Sequence, residues 1–400
     1  MNLSIRSATA EDLPEIARVD ALSFGDIFSE ADMADAFAGV DLSRFLLASS
    51  DGELVGIAGE YPLSMTLPGG AQPQVPGVTW VSVAPNRRRQ GVLRTLLHTQ
   101  FENFRDSGYP VAALTASQGG IYGRFGYGPA SLSRRTIVDP RRAQLIEAGD
   151  ASRVELLNAE GARRRAPELH ERWRRLVPGA VSRSEARWDS MFRDRESRRG
   201  GLSPNFYLVH PDGFIAYRTK TDWAHGHPQH LGVITDYFPV TAQAHSDLWE
   251  VLFGLELFGR IESYFVPIDD PLPFKLRDPR QLRTAELNDG MWIRPIDVAA
   301  ALQARTYQVE VDACLAVVDP VFGDGRYRLR GGPDGASCAR TEDLPDVSLP
   351  ASALGACYLG GTRLSVLRAA GALDCEDAAL LRRLDAAFQA NRAPFHGTGF

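Results

Sequence analysis

The stretch "TWVSVAPNRRRQGVLRTLL", residues 79–97, constrains the fold more than any other part of the chain. A β-rich run ends at Pro85, an arginine run follows, and after Gly91 a helical face forms from Leu93, Leu96, Leu97, Phe101 and Phe104. A strand that passes directly into an amphipathic helix is the opening of an α/β unit. An arginine run by itself is ordinarily a solvated face. At a strand-to-helix turn, however, free backbone N–H groups and the positive end of the helix point the same way. Arg89 and Arg94 add charge at that point, so the turn is a cradle for a pyrophosphate. Gly91 lets a phosphate approach the backbone, and the spacing Arg88-x-x-Gly91 is the diagnostic part. A P-loop is excluded because no Gly-Lys-Ser/Thr follows.

The alternation continues on both sides. A Thr9–Asp12 capping signal precedes a helical run with Leu13, Ile16, Val19 and Phe24. Asp51-Gly52 marks a hairpin between two strands. "YPVAALTAS" predicts a short strand, followed by a short helix in "GGIYGRFGYG". The segment "RRAQLIEAGDASRVELLNAEGARRRAPEL" reads as a linker. Beyond it, a hairpin at Asp212-Gly213, a strand "HLGVITDYFPV" and a helix with Leu248, Val251, Leu252 and Leu255 form a diverged echo of the first third. A third unit opens near residue 291 and ends in a helix with Leu380, Leu381, Leu384 and Phe388. The expected domains are 1–150, 151–290 and 291–400, an α/β fold with mixed α+β sheets.

At 400 residues the chain is too long for one ordinary core. It is 44% hydrophobic and 24% charged, a soluble globular profile, and no stretch approaches the roughly 20 apolar residues of a membrane span. A net charge of -6 argues against nucleic acid as a partner. The N-terminus carries no secretion pattern, and Cys314, Cys338, Cys357 and Cys375 make no Cys-x-x-Cys pair. Reduced thiols and a cytoplasmic location are expected. "HGHPQH", with His225, His227 and His230, suits a hairpin loop, and no metal is expected. Of the 44 basic residues only Lys220 and Lys275 are lysines, which a GC-rich genome accounts for.

A strand, "Arg-Arg-x-Gly" and an amphipathic helix resemble the acyl-coenzyme A loop of the GNAT N-acetyltransferases. More narrowly, "SVAPNRRRQGVLR", "DSGYPVAALTAS", "GGIYGRFGYGPA", "ERWRRLVPG" and "LLRRLDAAF" before a terminal Phe resemble the enhanced-intracellular-survival (Eis) group. The resemblance implies tandem GNAT domains, the second degenerate, and a C-terminal sterol-carrier-like domain. It implies acetyl-CoA as co-substrate, an amine acceptor such as an aminoglycoside, a polyamine or a lysine-like group, and a homohexamer. Val81, Ser82 and Val83 would lie along the pantetheine arm. Arg88, Arg89, Gln90, Gly91, Val92, Leu93 and Arg94 would hold the phosphates, with Ser117 and Gln118 also at the coenzyme. The echo in the middle third has neither Arg nor Gly at its strand-to-helix turn, "FPVTAQAHSDLWEVLF", so one coenzyme site per chain is expected.

Acetyl transfer to an amine requires a proton acceptor for the amine and a proton donor for the departing thiolate. The resemblance assigns the donor to Tyr122 and the acceptor to the α-carboxylate of Phe400. A carboxylate with an ordinary pKa of about 3.5 is charged at neutral pH, and partial burial would make it a better base. A water relay would serve equally. Tyr127 reads as structural and His98 as a polar-face residue of its helix. No cysteine lies in the first domain to carry an acyl group, so attack would be direct in a ternary complex. From Val19 to Ser43 there is no Lys or Arg, but Asp20, Asp26, Glu30, Asp32, Asp35 and Asp41 are present. This stretch is either a solvated acidic helix or a negative mouth that attracts cations. Asp26 matches the family's acceptor position; Phe24 and Trp80 are pocket walls or core. Some relatives have an acidic residue before the terminal Phe, where this chain has Gly399. The rival reading is a lipid or sterol carrier with a vestigial acetyltransferase domain.

Overall fold

The structure, a computed structural model, describes residues 3–26 and 28–400. The first elements are β1 (Leu3–Ser7), α1 (Leu13–Phe24), α2 (Glu30–Ala36), β2 (Leu46–Ser50), β3 (Glu53–Ser64), β4 (Gln74–Val83), α3 (Val92–Asp106), β5 (Val111–Thr115), α4 (Gly119–Tyr122) and β6 (Gly128–Pro129). The Thr9–Asp12 capping box forms as expected, and α1 stops where Gly25 takes φ 74°. Asp51 and Gly52 both adopt positive φ, the requirement of the two-residue turn that joins β2 to β3. Val92, Leu96, Leu97, Phe101 and Phe104 form the buried face of α3.

The middle elements are β7 (Leu132–Val138), β8 (Glu155–Leu157), α5 (Ala159–Arg174), α6 (Glu185–Arg193), β9 (Phe206–His210), β10 (Gly213–Lys220), β11 (Trp223–Ala224), β12 (His227–Pro228), β13 (His230–Pro239), α7 (Ala242–Phe253), β14 (Phe258–Pro267), α8 (Leu272–Lys275) and β15 (Leu282–Asp289). The segment expected as a linker therefore carries α5. The Asn158 side chain accepts from the Gly161 N–H at 2.8 Å and starts this helix. Its polar composition conceals a stripe of Ala162, Ala166, Leu169 and Trp173 that is buried. His225 and Gly226 form the turn between β11 and β12.

The last elements are β16 (Met291–Pro295), α9 (Val298–Gln303), β17 (Val311–Val318), β18 (Gly325–Gly332), β19 (Gly335–Arg340), β20 (Val347–Pro350), α10 (Ala351–Tyr358), α11 (Leu364–Ala369) and α12 (Ala378–Phe388). Two sheets are seven-stranded, ordered β1-β2-β3-β4-β5-β16-β6 and β15-β7-β14-β13-β10-β9-β8, and a third is ordered β19-β18-β17-β20. By packing, residues up to Ser131 with 291–391 and 399–400 form one compact unit, and 132–290 with 392–398 form another. The strand at 132–138 and residues up to 150 thus pack with the second unit rather than the first. β16 inserts between β5 and β6, so the first sheet is completed by a strand from the third part of the chain.

The core of the third part holds a cation. Arg305 is fully buried, donates to the carbonyls of Tyr358 and Phe388, and stacks on the rings of Tyr307 and Phe388. Among the described residues no helix is long and apolar enough to cross a membrane. Nor does any group of three or more His, Cys, Asp or Glu among them form a set that could hold a metal ion.

Candidate active site

The site begins with an irregularity in β4. Ile57 pairs with Ser82 and Gly59 with Thr79, so Trp80 and Val81 together oppose Ala58 alone. This is a bulge, and Trp80 takes φ 52°, a conformation that a bulky residue adopts only when its surroundings impose it. Aromatic packing does so: the Trp80 ring lies 4.7 Å from Phe37 and 5.7 Å from Phe28, and its N–H donates to the Tyr61 hydroxyl at 2.9 Å. β4 pairs in parallel with β5 only at Gly77–Ala113 and Val78–Leu114. The described remainder of β4, residues 79–83, leaves that partnership and offers β5 no ladder. Val81, Ser82 and Val83, expected along the coenzyme arm, lie in this segment. The Ser82 hydroxyl is engaged, donating to buried Asp20 at 2.6 Å.

The turn after β4 keeps its backbone available. Arg89 takes φ 63° and Gly91 φ 88°, and no side chain caps the first turn of α3. A Cβ at Gly91 would meet nothing within 4 Å, so the face is open. Arg88, Arg89, Gln90 and Arg94 are exposed, and among the described residues none of these three guanidiniums is paired with a carboxylate. Arg87 differs: it is held by Glu53 at 3.2 Å. Leu93 is half-buried and Val92 buried, anchoring the helix. Unpaired N–H groups, a helix N-terminus and three free guanidiniums suit a diphosphate. Ser117 and Gln118 are exposed between β5 and α4.

The corresponding turn of the second unit is closed. Between β13 and α7 the Thr241 hydroxyl accepts from the Ala244 N–H at 3.1 Å, satisfying the helix start from within. A bulge persists there between Ala216 and Tyr217, opposite β13.

Tyr122 ends α4 and is buried in a cluster that includes Val78, with Val81 and Leu93 packed against that cluster. Burial pushes its phenol up to about 12. Among the described residues its hydroxyl has no hydrogen-bond partner. Tyr127 is fully enclosed, its ring 6.0 Å from that of Tyr122 and its hydroxyl unpaired. His98 is half-buried with its ring against Phe125 at 6.4 Å, part of the support for the same turn.

The chain end belongs to the same unit. A Cβ built on Gly77 would meet the Phe400 ring at 2.9 and 3.0 Å, so the terminal ring rests on bare strand backbone. Neighbouring residues on a strand face opposite ways. Gly77 turns its open side to Phe400, and Val78 belongs to the same buried cluster as Tyr122. Gly77 was not singled out in the sequence, although an isolated glycine within a strand pattern signals close approach of another group.

The acidic stretch divides. Asp20 is buried, and burial raises its pKa. Asp32 is buried and takes part in the Ser29 capping box. Asp26 is exposed, so the charge that can reach solvent is smaller than the composition suggests. Phe24 is 52% exposed, which removes it from the core. Trp80 is half-buried in an aromatic wall with Phe28, Phe37 and Tyr61, of which only Trp80 was anticipated.

Comparison with known proteins agrees with this architecture. Residues 4–130 match an acetyltransferase (GNAT) domain family, 179–295 a second acetyltransferase (GNAT) domain family, and 298–397 the sterol carrier protein domain family. N-acetyltransferase Eis of Mycobacterium tuberculosis is 38% identical over 399 residues, spanning 97% of each chain. An uncharacterized N-acetyltransferase of Streptomyces coelicolor is 37% identical over 366 residues, 88% of this chain and 87% of that one. The crystal structure of Eis1 from Mycobacterium abscessus superposes with TM-score 0.89 at 30% identity, covering 99% of this chain and 100% of that one. A GCN5-related N-acetyltransferase from Anabaena variabilis, 18% identical with TM-score 0.85 over 100% of both chains, shares the fold. The bulged β4, the open turn before α3, the second GNAT domain and the terminal sterol-carrier-like domain accompany a likeness along nearly the whole chain, and the protein belongs to the Eis family of N-acetyltransferases.

Proposed function

We propose that the chain transfers the acetyl group of acetyl-CoA to a primary amine by direct attack in a ternary complex, with Tyr122 as general acid and the Phe400 α-carboxylate as general base. The observation that supports this reading is the contact between the Phe400 ring and Gly77 on β4. The turn at Arg88–Arg94 would hold the pyrophosphate of the coenzyme, and Val81–Val83 would run beside its pantetheine arm. Ser117 and Gln118 lie at the mouth of α4 and would complete that side.

The chemistry follows from the protonation states. An alkylamine with an ordinary pKa near 10.4 arrives protonated and must lose a proton before it can attack. The Phe400 carboxylate, directly or through water, takes that proton. The backbone at the Trp80–Val81 bulge, where the register with β3 is broken, would offer an N–H to the carbonyl oxygen as negative charge develops on it. Tyr122 retains its proton at neutral pH and gives it to the departing thiolate.

Aminoglycosides, polyamines and lysine-like amines are the acceptor classes to test. Exposed Phe24 and Asp26 supply an apolar and a negative contact for such a cation. A screen of these amines with acetyl-CoA, reading released thiol, tests the activity. Acetyl-CoA should also raise the melting temperature through binding to the folded state. Absence of stabilisation by any acyl-CoA, together with no turnover on any amine, overturns the reading.

A further inference from the structure

Arg294 lies on β16, outside the stretch that forms the phosphate turn and Tyr122, and is fully buried. One guanidinium nitrogen donates to the Phe125 carbonyl at 2.6 Å. The other donates to both Asp319 carboxylate oxygens at 3.0 and 3.1 Å. The cation is sandwiched, 4.6 Å from the Phe101 ring centre and 5.2 Å from that of Phe322. Asp319 in turn accepts from the N–H groups of Val321 and Phe322, at 2.9 and 3.3 Å.

The carbonyl that Arg294 takes belongs to the turn that follows Tyr122. Gly126 N–H donates to Gly123 at 3.0 Å, and Tyr127 N–H to Tyr122 at 3.3 Å. Gly126 takes φ 87°, and a Cβ there would fall on the Arg294 guanidinium. The turn is thus shaped around the cation. A buried charge is costly unless it is paired and hydrogen-bonded, and this one is used to fix one backbone carbonyl. Burying an ion pair is weak evidence for stability and better evidence for specified geometry. An acid in a proton transfer must be held within a fraction of an ångström.

We propose that Arg294, backed by Asp319, is a positioning residue for Tyr122: the third part of the chain sets the orientation of the general acid. The proposal rests on the reading of Tyr122 as that acid. Arg294 does not touch the reacting atoms. It acts through the Phe125 carbonyl and the turn from Tyr122 to Tyr127.

The test is a kinetic cycle on the full-length enzyme with Arg294→Lys, Arg294→Met, Asp319→Asn and Tyr122→Phe, and with the doubles that include Tyr122→Phe. Arg294→Lys and Asp319→Asn should lower kcat about tenfold to a hundredfold and leave KM for acetyl-CoA within about twofold. In the Tyr122→Phe background the same substitutions should change kcat by less than about threefold, because the group they orient is gone. Equal losses in both backgrounds, or kcat unchanged in soluble folded Arg294→Lys, overturn the proposal. If Tyr122→Phe alone leaves kcat intact, it is the assignment of the acid that fails. Should Arg294→Met not fold, Arg294→Lys and Asp319→Asn carry the comparison, each checked by its melting curve.

Discussion

The ring of Phe400 lies on the bare backbone of Gly77, at one of the two positions where β4 is paired with β5. Phe400 is therefore docked against β4, an interior strand of the first sheet. Substituting Gly77 probes this directly. An alanine methyl would press on the Leu63 side chain at 2.5 Å and on the Phe400 ring at 2.9 Å, so the ring must give way together with Leu63. Gly77→Ala should lower kcat roughly tenfold to a hundredfold while acetyl-CoA still stabilises the protein. Unchanged kcat in a variant with a normal melting curve would separate the ring contact from catalysis.

The carboxylate itself is tested by chemistry at the terminus. One residue added after Phe400, or amidation of Phe400, removes the charge from its place without touching the phosphate turn. Turnover should be lost and the acetyl-CoA thermal shift retained. Full activity in a C-terminally tagged enzyme would assign the base elsewhere.

The pH profile reports on Tyr122. Burial pushes its phenol up to about 12, so the proton is present throughout the range in which the enzyme can be assayed. Deprotonation of Tyr122 should not lower kcat below about pH 10. Tyr122→Phe should reduce kcat on the order of a hundredfold or more at every pH in that window. An alkaline limb near pH 8 that disappears in Tyr122→Phe would contradict the environment described for the phenol.

His396 makes the second unit sensitive to acid. Its ring is buried against Phe265 and Phe395, both ring nitrogens lack partners among the described residues, and burial lowers its pKa to about 3. The unfolded chain takes up this proton near pH 6.5, whereas the folded chain does not until about pH 3. Stability is therefore complete above pH 6.5 and declines as pH falls, by roughly 1 kcal/mol per pH unit. His170, also buried and shifted the same way, adds to the slope. Denaturant midpoints between pH 7 and 4 should fall more steeply in the parent than in His396→Phe. Parallel slopes would exclude this source.

Local rules made much of the fold legible. The Thr9–Asp12 box, the Asp51-Gly52 turn and the apolar face of α3 depend on neighbours in sequence, and each forms where its residues predict. Helix α5 was hidden because its polar surface outweighs a narrow buried stripe, so it reads as a linker. Asp20 was counted as surface charge because nothing near it in sequence reveals Ser82, its partner on β4. Phe24 was left between core and pocket, and only the packing of α1 shows that it lies outside the core. The open, arginine-rich turn before α3 was visible because backbone, helix end and cation all lie within a few residues. Gly77, Arg294 and the aromatic wall were not, since each acts on a residue distant in the chain.

The insertion of β16 between β5 and β6 also orders events during synthesis. On the ribosome, β1 to β6 emerge first, yet the strand that separates β5 from β6 emerges only after residues 130–290 have been made. Nascent chains generally fold domain by domain from the N-terminus, but here the first sheet waits with the edge of β5 open for β16. Arg294 arrives on that late strand, and Phe400 arrives last of all. A product that stops before β16 therefore contains the Arg88–Arg94 turn and Tyr122 but lacks the strand that pairs with β5 and β6.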